Sequence, residues 1–427
     1  MKSMKTMIRL MTCAVVATMS MEAARASLNI PSDGSDGALV IAEDTVIDLS
    51  QAVTSNWDAN NSANVGKGIY DSNKWAVVFK YSSVTIQAGA TVTFKNHASR
   101  APVVWLVQGD VTINGTVSLD GQNAQPSPWL AEPGPGGFRG ASGYYAFGAD
   151  ATSGFGMGGG HPGPNGTPYG WQMAAGSYGS AGGFGTSPGS GVPASAPYGN
   201  PSIIPLLGGS GGGGESGANY GGGAGAGVIL VACTGTITIS GEIRANGGSG
   251  TGGGSGGAIR LVADALSGSG VVQAKGGIGA LTGGLGRIRI ERVVNTFTPE
   301  PIPAPSVVVL SAGATPVIWL PTNGPTVRIV SIEGKSAPAD PRAEFGAIGA
   351  DIVLPQVTNV TVVVETTVAE DASTVTARAT PRSNGNFSER VASLTQVVSE
   401  DPKVIRWTAN VPVSDGYAAI QVKVVRP

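Results

Sequence analysis

Few residues in this chain have the types and spacing that catalysis needs. The two histidines, His97 and His161, are far apart in sequence, and the chain lacks the HExxH and Walker motifs. Asp110 and Asp120 are the best carboxylates on predicted strands, and no predicted strand carries two carboxylates at alternate positions. The basic residues near them are Arg244, Arg260, Lys275, Arg287 and Arg289. We therefore predict no catalytic residue and a protein that is not an enzyme.

Candidate metal ligands are equally sparse. Asp33 and Asp36 lie in the turn sequence SDGSDG, where two carboxylates are more often hydrogen-bonded turn formers than calcium ligands. Cys13 lies in the predicted leader described below, which leaves Cys233 as a single cysteine in a strand-like apolar run. We predict no metal site, no disulfide and no cofactor.

Aromatic residues are concentrated in one part of the chain. Residues 124–224 hold 12 of the 25 aromatic residues, in a sequence otherwise rich in Gly, Pro and Ser. One interpretation is that glycine-rich runs lie flat on a folded body and the aromatic rings pin them there. The other is that some rings project outward and stack on a glycan or a partner surface. On the second interpretation the candidate binding residues are Tyr144, Tyr145, Tyr169, Trp171 and Tyr178.

A repeated strand unit surrounds this insertion. Similar segments at 103–122, 228–248 and 258–277 each read as an apolar strand, a polar step, a second alternating strand and a glycine turn, with related pieces at 83–94 and 286–293. Repeats of this size are typical of solenoids, in which each unit packs only on its neighbours. The alternation of Ile237 and Ile239 with polar residues predicts that they face the core. We predict a parallel β-helix (a β-solenoid) over 27–297, with residues 124–224 as its long Gly-rich insertion.

The composition changes towards the C-terminus. A proline-rich linker covers 298–305, and only 7 of the 67 glycines lie in 306–427. Short alternating strands at regular spacing in 306–427 predict an antiparallel β-sandwich of the immunoglobulin or fibronectin type, with Trp319 and Trp407 in its core. The predicted fold class is therefore all-β.

Residues 1–26 read as a signal peptide. Lys2, Lys5 and Arg9 precede a short apolar stretch, and Ala24-Arg25-Ala26 provides small residues before Ser27. The apolar stretch has about 12 residues, fewer than the roughly 20 that a membrane span needs. The mature chain would carry a net charge of −5 without a Lys/Arg cluster, which disfavours nucleic acids as partners. We predict a secreted protein at the cell surface or outside it, without a membrane span.

The segments 32–50 (SDGSDGALVIAEDTVIDLS), 109–122 (GDVTINGTVSLDGQ) and 252–263 (GGGSGGAIRLVA), followed by a sandwich module, resemble secreted glycine-rich bacterial β-helix proteins of adhesin-like or surface-structural type. The resemblance covers roughly residues 30–295 and implies a non-enzymatic structural or adhesive role, with a glycan or cell-surface polymer as partner. Self-association into extracellular fibres is a further possibility. The alternative function is that of a polysaccharide-active β-helix enzyme, a lyase or glycosidase.

Overall fold

The computed structural model describes residues 26–143, 151–163, 173–185, 192–215, 221–298, 300–321, 323–341, 350–383, 385–414 and 416–427. Over these ranges the protein is all-β, with two short 3-10 helices at Leu49–Gln51 and Ser62–Asn64 and no α-helix. The strands are β1 Ala38–Ile41, β2 Thr45–Asp48, β3 Val53–Thr54, β4 Ile69–Asp71, β5 Ala76–Tyr81, β6 Ser83–Ile86, β7 Thr91–Lys95, β8 Val103–Val107, β9 Val111–Ile113, β10 Thr116–Ser118, β11 Val228–Cys233, β12 Thr236–Ile239, β13 Glu242–Arg244, β14 Gly250–Gly252, β15 Ala258–Ser267, β16 Val271–Gln273, β17 Gly279–Leu281, β18 Arg287–Asn295, β19 Ser306–Val309, β20 Thr326–Ile332, β21 Lys335–Ser336, β22 Asn359–Thr367, β23 Thr374–Pro381, β24 Ser388–Val391, β25 Ser393–Glu400, β26 Lys403–Pro412 and β27 Ala418–Val425.

The N-terminal two thirds of the described chain is built mainly from parallel strands. One sheet runs in the order β1-β6-β9-β12-β15-β11-β8-β5-β4-β3, with β18 on β15 and β19 on β18. The long strand β15 pairs with both β11 and β12 and so joins the two halves of this sheet. A second parallel sheet runs in the order β16-β13-β10-β7-β2. The predicted repeat segments therefore do pair with one another in parallel.

The pairing register reveals where the insertion enters. Val103 of β8 pairs with Val77 of β5 on one side and with Ile229 of β11 on the other. Ile229 is about 100 residues farther from Val103 along the chain than Val77 is. The insertion 124–224 therefore interrupts the stack without changing the register of the strands on either side of it. The predicted core positions are confirmed, because Ile237 and Ile239 are 0% exposed and Thr238 between them is half-buried.

A second apolar layer lies on the outer face of β5, β8, β11 and β15. Strand residues such as Val104 and Leu230 pack there against insertion residues that include Tyr198 and Leu206. This explains why these strands are buried on both faces, as a continuous apolar run such as VVWLV in β8 indicates.

The C-terminal part contains two antiparallel sheets with a core of their own. Their orders are β21-β20-β22-β26-β25 and β24-β23-β27. Their core includes Val362, Val375, Ile405 and Trp407, and Trp407 is buried as predicted. The indole N–H of Trp407 donates to the hydroxyl of Thr366 at 2.9 Å.

The boundary between the two parts differs from the one that the sequence suggests. Strand β19, predicted in the sandwich, pairs in parallel with β18 and belongs to the parallel stack. Trp319, predicted in the core of the sandwich, lies outside the strands and packs against Trp57 of the parallel part with ring centroids 5.4 Å apart. The proline-rich linker also contacts the stack, since Ala274 donates its backbone N–H to Ile302 at 2.7 Å. Short apolar strands do not reveal which of two sheets they join.

Candidate functional site

The glycine-rich segments pack together into one body beside the parallel sheets. We call segments 134–141, 151–163, 173–185, 208–214, 221–227, 245–257 and 274–286 the glycine bundle. Within segment 208–214, residues three apart form backbone hydrogen bonds to the same neighbouring segment. Gly209 and Gly212 donate to Ala226 and Gly223, Ser210 and Gly213 accept from Ser255 and Gly252, and Gly211 and Gly214 donate to Phe155 and Thr152, all at 2.9–3.2 Å. This period of three is that of an extended threefold helix of the polyproline II type, and a β-strand would give a period of two.

Glycine is required in the bundle because neighbouring backbones are too close for a side chain. A Cβ on Gly212 would lie 2.0 Å from the carbonyl oxygen of Gly252, and one on Gly222 would lie 1.9 Å from that of Gly212. A Cβ on Gly225 would lie 1.9 Å from the carbonyl oxygen of Gly209. The glycine-rich runs therefore form a tightly packed solid, in line with the first of the two interpretations of the insertion.

The described residues that flank 144–150, 164–172 and 216–220 are hydrogen-bonded to one another at one side of the bundle, which we call the loop end. Thr152, just after 144–150, donates its N–H to Ser142, just before it, at 3.2 Å. Across 164–172, Ala174 donates to His161 at 2.9 Å. Gly214, just before 216–220, accepts from Gly163, just before 164–172, at 2.9 Å, which joins the flanks of these two stretches.

Four of the five predicted binding residues, Tyr144, Tyr145, Tyr169 and Trp171, lie outside the described residues, within 144–150 and 164–172. The flanks of both stretches are at the loop end. Two other aromatic residues of the insertion are exposed: Trp129 at 69% and Phe184 at 46%. Both belong to the 12 aromatic residues of the insertion but are not among the predicted binding residues, since nothing in their local sequence distinguishes an exposed ring from a buried one.

Tyr178 requires a correction, because it is 1% exposed and cannot present its ring to a ligand. Its ring packs on Tyr198 at a centroid distance of 4.9 Å, and the guanidinium carbon of Arg287 lies 5.5 Å from its centroid. Burial raises the pKa of Tyr178 far above its usual value. The small residues on either side of Tyr178, Gly and Ser, let its ring lie buried between the glycine bundle and the parallel sheet.

A hairpin of the C-terminal part docks on the glycine bundle. Phe387 lies between two side chains, with the guanidinium carbon of Arg378 3.7 Å from its ring centroid and the ring of His161 at 4.4 Å. Arg378 is 3% exposed and donates to the carbonyl oxygen of Gly156 at 2.8 Å. The hydroxyl of Ser153 donates to Asn386 at 2.8 Å. Burial, together with the charge of Arg378, lowers the pKa of His161 below its usual value.

A separate polar cleft of about 510 Å³ opens on the outer face of β7 and β10. It contains two carboxylates, Asp120 and Glu132, and both are held by guanidinium groups. Asp120 lies 2.7 Å from Nε of Arg244, and Glu132 lies 3.0 Å from Arg100 and 2.7 Å from Arg139. Burial raises the pKa of Asp120, although the backbone N–H of Asn246 and the charge of Arg244 oppose this.

The other residues weighed for chemistry have structural roles. Asp110 accepts a hydrogen bond from the backbone N–H of Thr236 at 2.7 Å and so links two neighbouring repeat units. Arg260 is 1% exposed and lies 2.8 Å from Glu291, which also pairs with Arg289 at 3.2 Å. Arg287 donates to the carbonyl oxygen of Tyr198 at 2.8 Å. These bases are therefore committed to packing.

The SDGSDG turn is organised around an ammonium group. Nζ of Lys80, whose side chain is 1% exposed, lies 3.2 Å from Oδ2 of Asp33 and donates to the carbonyl oxygens of Asp58 and Ala59. Asp36 accepts from Asn61 at 2.7 Å and from the backbone N–H of Lys80 at 2.8 Å. Lys80 thus occupies the place among oxygens that a cation would take. Within the described ranges no group of three His, Cys, Asp or Glu residues could hold a metal ion.

Comparison with known proteins gives no relative: the chain matches no family, no curated protein and no solved structure at a significant level. Among the described residues, no helix has both the length and the apolar character needed to cross a membrane.

Proposed function

We propose that this protein is a secreted, non-enzymatic surface protein that binds a glycan or another cell-surface polymer through the loop end of the glycine bundle. The observation that carries the proposal is that the described residues flanking 144–150, 164–172 and 216–220 hydrogen-bond to one another at that end. The first two of these stretches contain Tyr144, Tyr145, Tyr169 and Trp171, the predicted binding residues. Aromatic rings suit the flat apolar faces of sugars.

In this proposal each part has a mechanical role. The parallel strands are successive coils of a β-helix, which supplies a stiff body. The glycine bundle forms a platform whose backbone hydrogen bonds hold together the described residues that flank 144–150, 164–172 and 216–220. The antiparallel sheets form a sandwich of the immunoglobulin type, which acts as a spacer or attachment unit.

The alternative, a polysaccharide-active enzyme, has weaker support. Its best candidate site is the polar cleft, where Asp120 and Glu132 are the carboxylates. General acid and base catalysis needs one carboxyl that donates a proton and another that accepts one or attacks the substrate. Each of these two carboxylates is instead neutralised by a bound guanidinium, at 2.7 Å for Asp120 and at 2.7 and 3.0 Å for Glu132.

The test is a glycan array probed with the secreted, mature chain, followed by titration of the best ligand against Trp171→Ala. Each stacked ring contributes on the order of 1 kcal/mol, so the variant should bind several-fold more weakly with an unchanged melting temperature. Tyr417→Ala, which removes an aromatic ring that is 38% exposed on the C-terminal part, is the matched control and should bind normally. An unchanged affinity together with a lower melting temperature in Trp171→Ala would refute a binding role for Trp171.

Secretion is tested on the same material. N-terminal sequencing should find Ser27, or a residue close to it, at the start of the exported chain. Exported protein that still begins at Met1 would contradict the proposed cleavage.

A further inference from the structure

We propose that the polar cleft on β7 and β10 is a second binding site, selective for an uncharged saccharide. It is independent of the loop end and goes beyond the proposed function. The cleft is lined by residues of β7, of β10 and of the 96–100 and 132–135 loops. Its volume of about 510 Å³ falls in the usual range of small-molecule sites.

The charges of the cleft argue for an uncharged ligand. Its lining contains two cationic side chains, Lys95 and Arg100, and two carboxylates, Asp120 and Glu132. Each has an ionic partner: Lys95 lies 2.8 Å from Asp48, and the other three take part in the guanidinium–carboxylate pairs described above. A phosphate, a uronate or a metal ion would have to displace one of these pairs. A neutral polyol would not.

A side-chain amide in the cleft is available to sugar hydroxyls. The side-chain oxygen of Gln122 accepts from the backbone N–H of Glu132 at 3.2 Å. This fixes the amide so that its NH2 group, which has no acceptor among the described residues, is free to donate. The hydroxyl of Ser118 accepts from Nε of Arg244 at 3.3 Å and is also hydrogen-bonded to the carboxylate of Asp120, so Gln122 supplies the donor that is left for a ligand. An amide donor beside carboxylate oxygens, which have further lone pairs to accept with, matches a polyol.

A second observation comes from the wall of the cleft. Asn96 donates its side-chain N–H to the carbonyl oxygen of Pro133 at 2.8 Å, which fixes the orientation of the amide. Its Oδ1 is then shielded and has no donor in the described structure. An unsatisfied buried acceptor costs about 1–3 kcal/mol, and a small adjustment on binding would let a sugar hydroxyl satisfy it.

The cleft also offers apolar surface for a sugar ring. Phe94 is half-buried between the cleft and the core, where it packs near Trp105 at a centroid distance of 6.3 Å. The ring of His97 is held by stacking on Tyr70 at 4.1 Å and by a hydrogen bond to Ser99 at 2.8 Å. Both rings are thus fixed in place before any ligand arrives, which lowers the entropic cost of binding.

The experiment is calorimetric titration of the full mature chain with neutral gluco-, galacto- and manno-oligosaccharides and with oligogalacturonate. We expect one of the neutral oligosaccharides to bind and oligogalacturonate to bind at least tenfold more weakly. Thr93→Trp, which fills the cleft from an outward position on β7, should lower the affinity at least tenfold. Thr112→Trp, an outward position on β9 that does not line the cleft, should leave it unchanged.

Two further variants make the outcome decisive. Gln122→Ala removes one exposed amide and tests the site if Thr93→Trp does not fold; it should weaken binding severalfold. Trp171→Ala, aimed at the loop end, should leave this binding intact, so failure of the cleft and failure of the proposed function can be told apart. The inference is overturned if none of the neutral oligosaccharides binds, if the acidic one binds more tightly, or if neither cleft variant weakens binding.

Discussion

Gly212 donates its backbone N–H to the carbonyl oxygen of Gly223 at 2.9 Å, and on its other side it faces the carbonyl oxygen of Gly252 with no room for a methyl group. The same kind of contact recurs in the glycine bundle, where the backbone groups of one segment hydrogen-bond to several neighbouring segments. The bundle therefore depends on the absence of side chains as a hydrophobic core depends on their presence.

Gly212→Ala should consequently be strongly destabilising. Its Cβ would lie 2.0 Å from a backbone oxygen, and overpacking of a fixed interior costs about 1–3 kcal/mol or more. Gly163→Ala is the matched control, because the nearest atom to its Cβ would be 3.8 Å away. Thermal unfolding of both variants checks this, and equal melting temperatures would show that the bundle is looser than described.

Ile239→Asp should lower the free energy of unfolding by several kcal/mol. Ile239 is 0% exposed, so the introduced carboxylate would be buried without a partner. Thr238→Asp should cost far less, since the neighbouring side chain faces outward, where its hydroxyl lies 3.0 Å from that of Ser267. Urea denaturation of the two variants is the measurement. Similar losses at both positions would contradict the inward and outward assignment.

Lys80→Met should destabilise the N-terminal turn by about 3 kcal/mol, since it leaves Asp33 and two carbonyl oxygens without their shared donor. Lys95→Met removes an ion pair in which the lysine is 61% exposed, and should cost less than about 1 kcal/mol. Chemical denaturation of the pair decides the point. A small loss for Lys80→Met would mean that water replaces the ammonium group at little cost.

The stability of the interface around Phe387 should depend on pH. Because the pKa of His161 is lowered in the folded protein, the folded state favours the neutral ring. Stability is thus fully present above the usual histidine pKa of 6.5 and is lost as pH falls through the lower folded value. Arg378 opposes the added charge and Glu389 partly offsets it.

The measurement is the melting temperature of the wild-type protein and of His161→Gln between pH 7.5 and 5. The wild-type protein should lose stability on acidification more steeply than the variant, which has no titrating ring at this position. Parallel pH profiles would exclude His161 as the source of the dependence.

A fragment that starts at residue 323 should fold alone, because the two antiparallel sheets have their own core around Val362 and Trp407. A fragment that starts at residue 306 should be no more stable, since β19 pairs with β18 and Trp319 packs on Trp57 in the parallel part. Cooperative melting of both fragments at the same temperature is the expected result. A higher melting temperature for the longer fragment would restore the boundary that the sequence suggested.

Local pattern was sufficient for part of this structure. The alternation of Ile237 and Ile239 identified a strand and its buried face, because side chains of an extended chain point to opposite sides in turn. The likeness of 103–122, 228–248 and 258–277 indicated units that pair with one another. The shift in glycine content near residue 300 indicated a change of architecture, although it misplaced β19.

Other features were decided only by tertiary structure. Tyr178 and Trp129 have similar glycine-, serine- and proline-rich surroundings in sequence, yet one ring is 1% exposed and the other 69%. Likewise Asp120 and Glu132 lie in different segments of the chain. They line one cleft only because the end of β10 and the 132–135 loop lie side by side. The reason is physical: alternation and glycine content act within a few residues, whereas burial of a ring or the pairing of a carboxylate depends on which distant backbone comes to lie beside it.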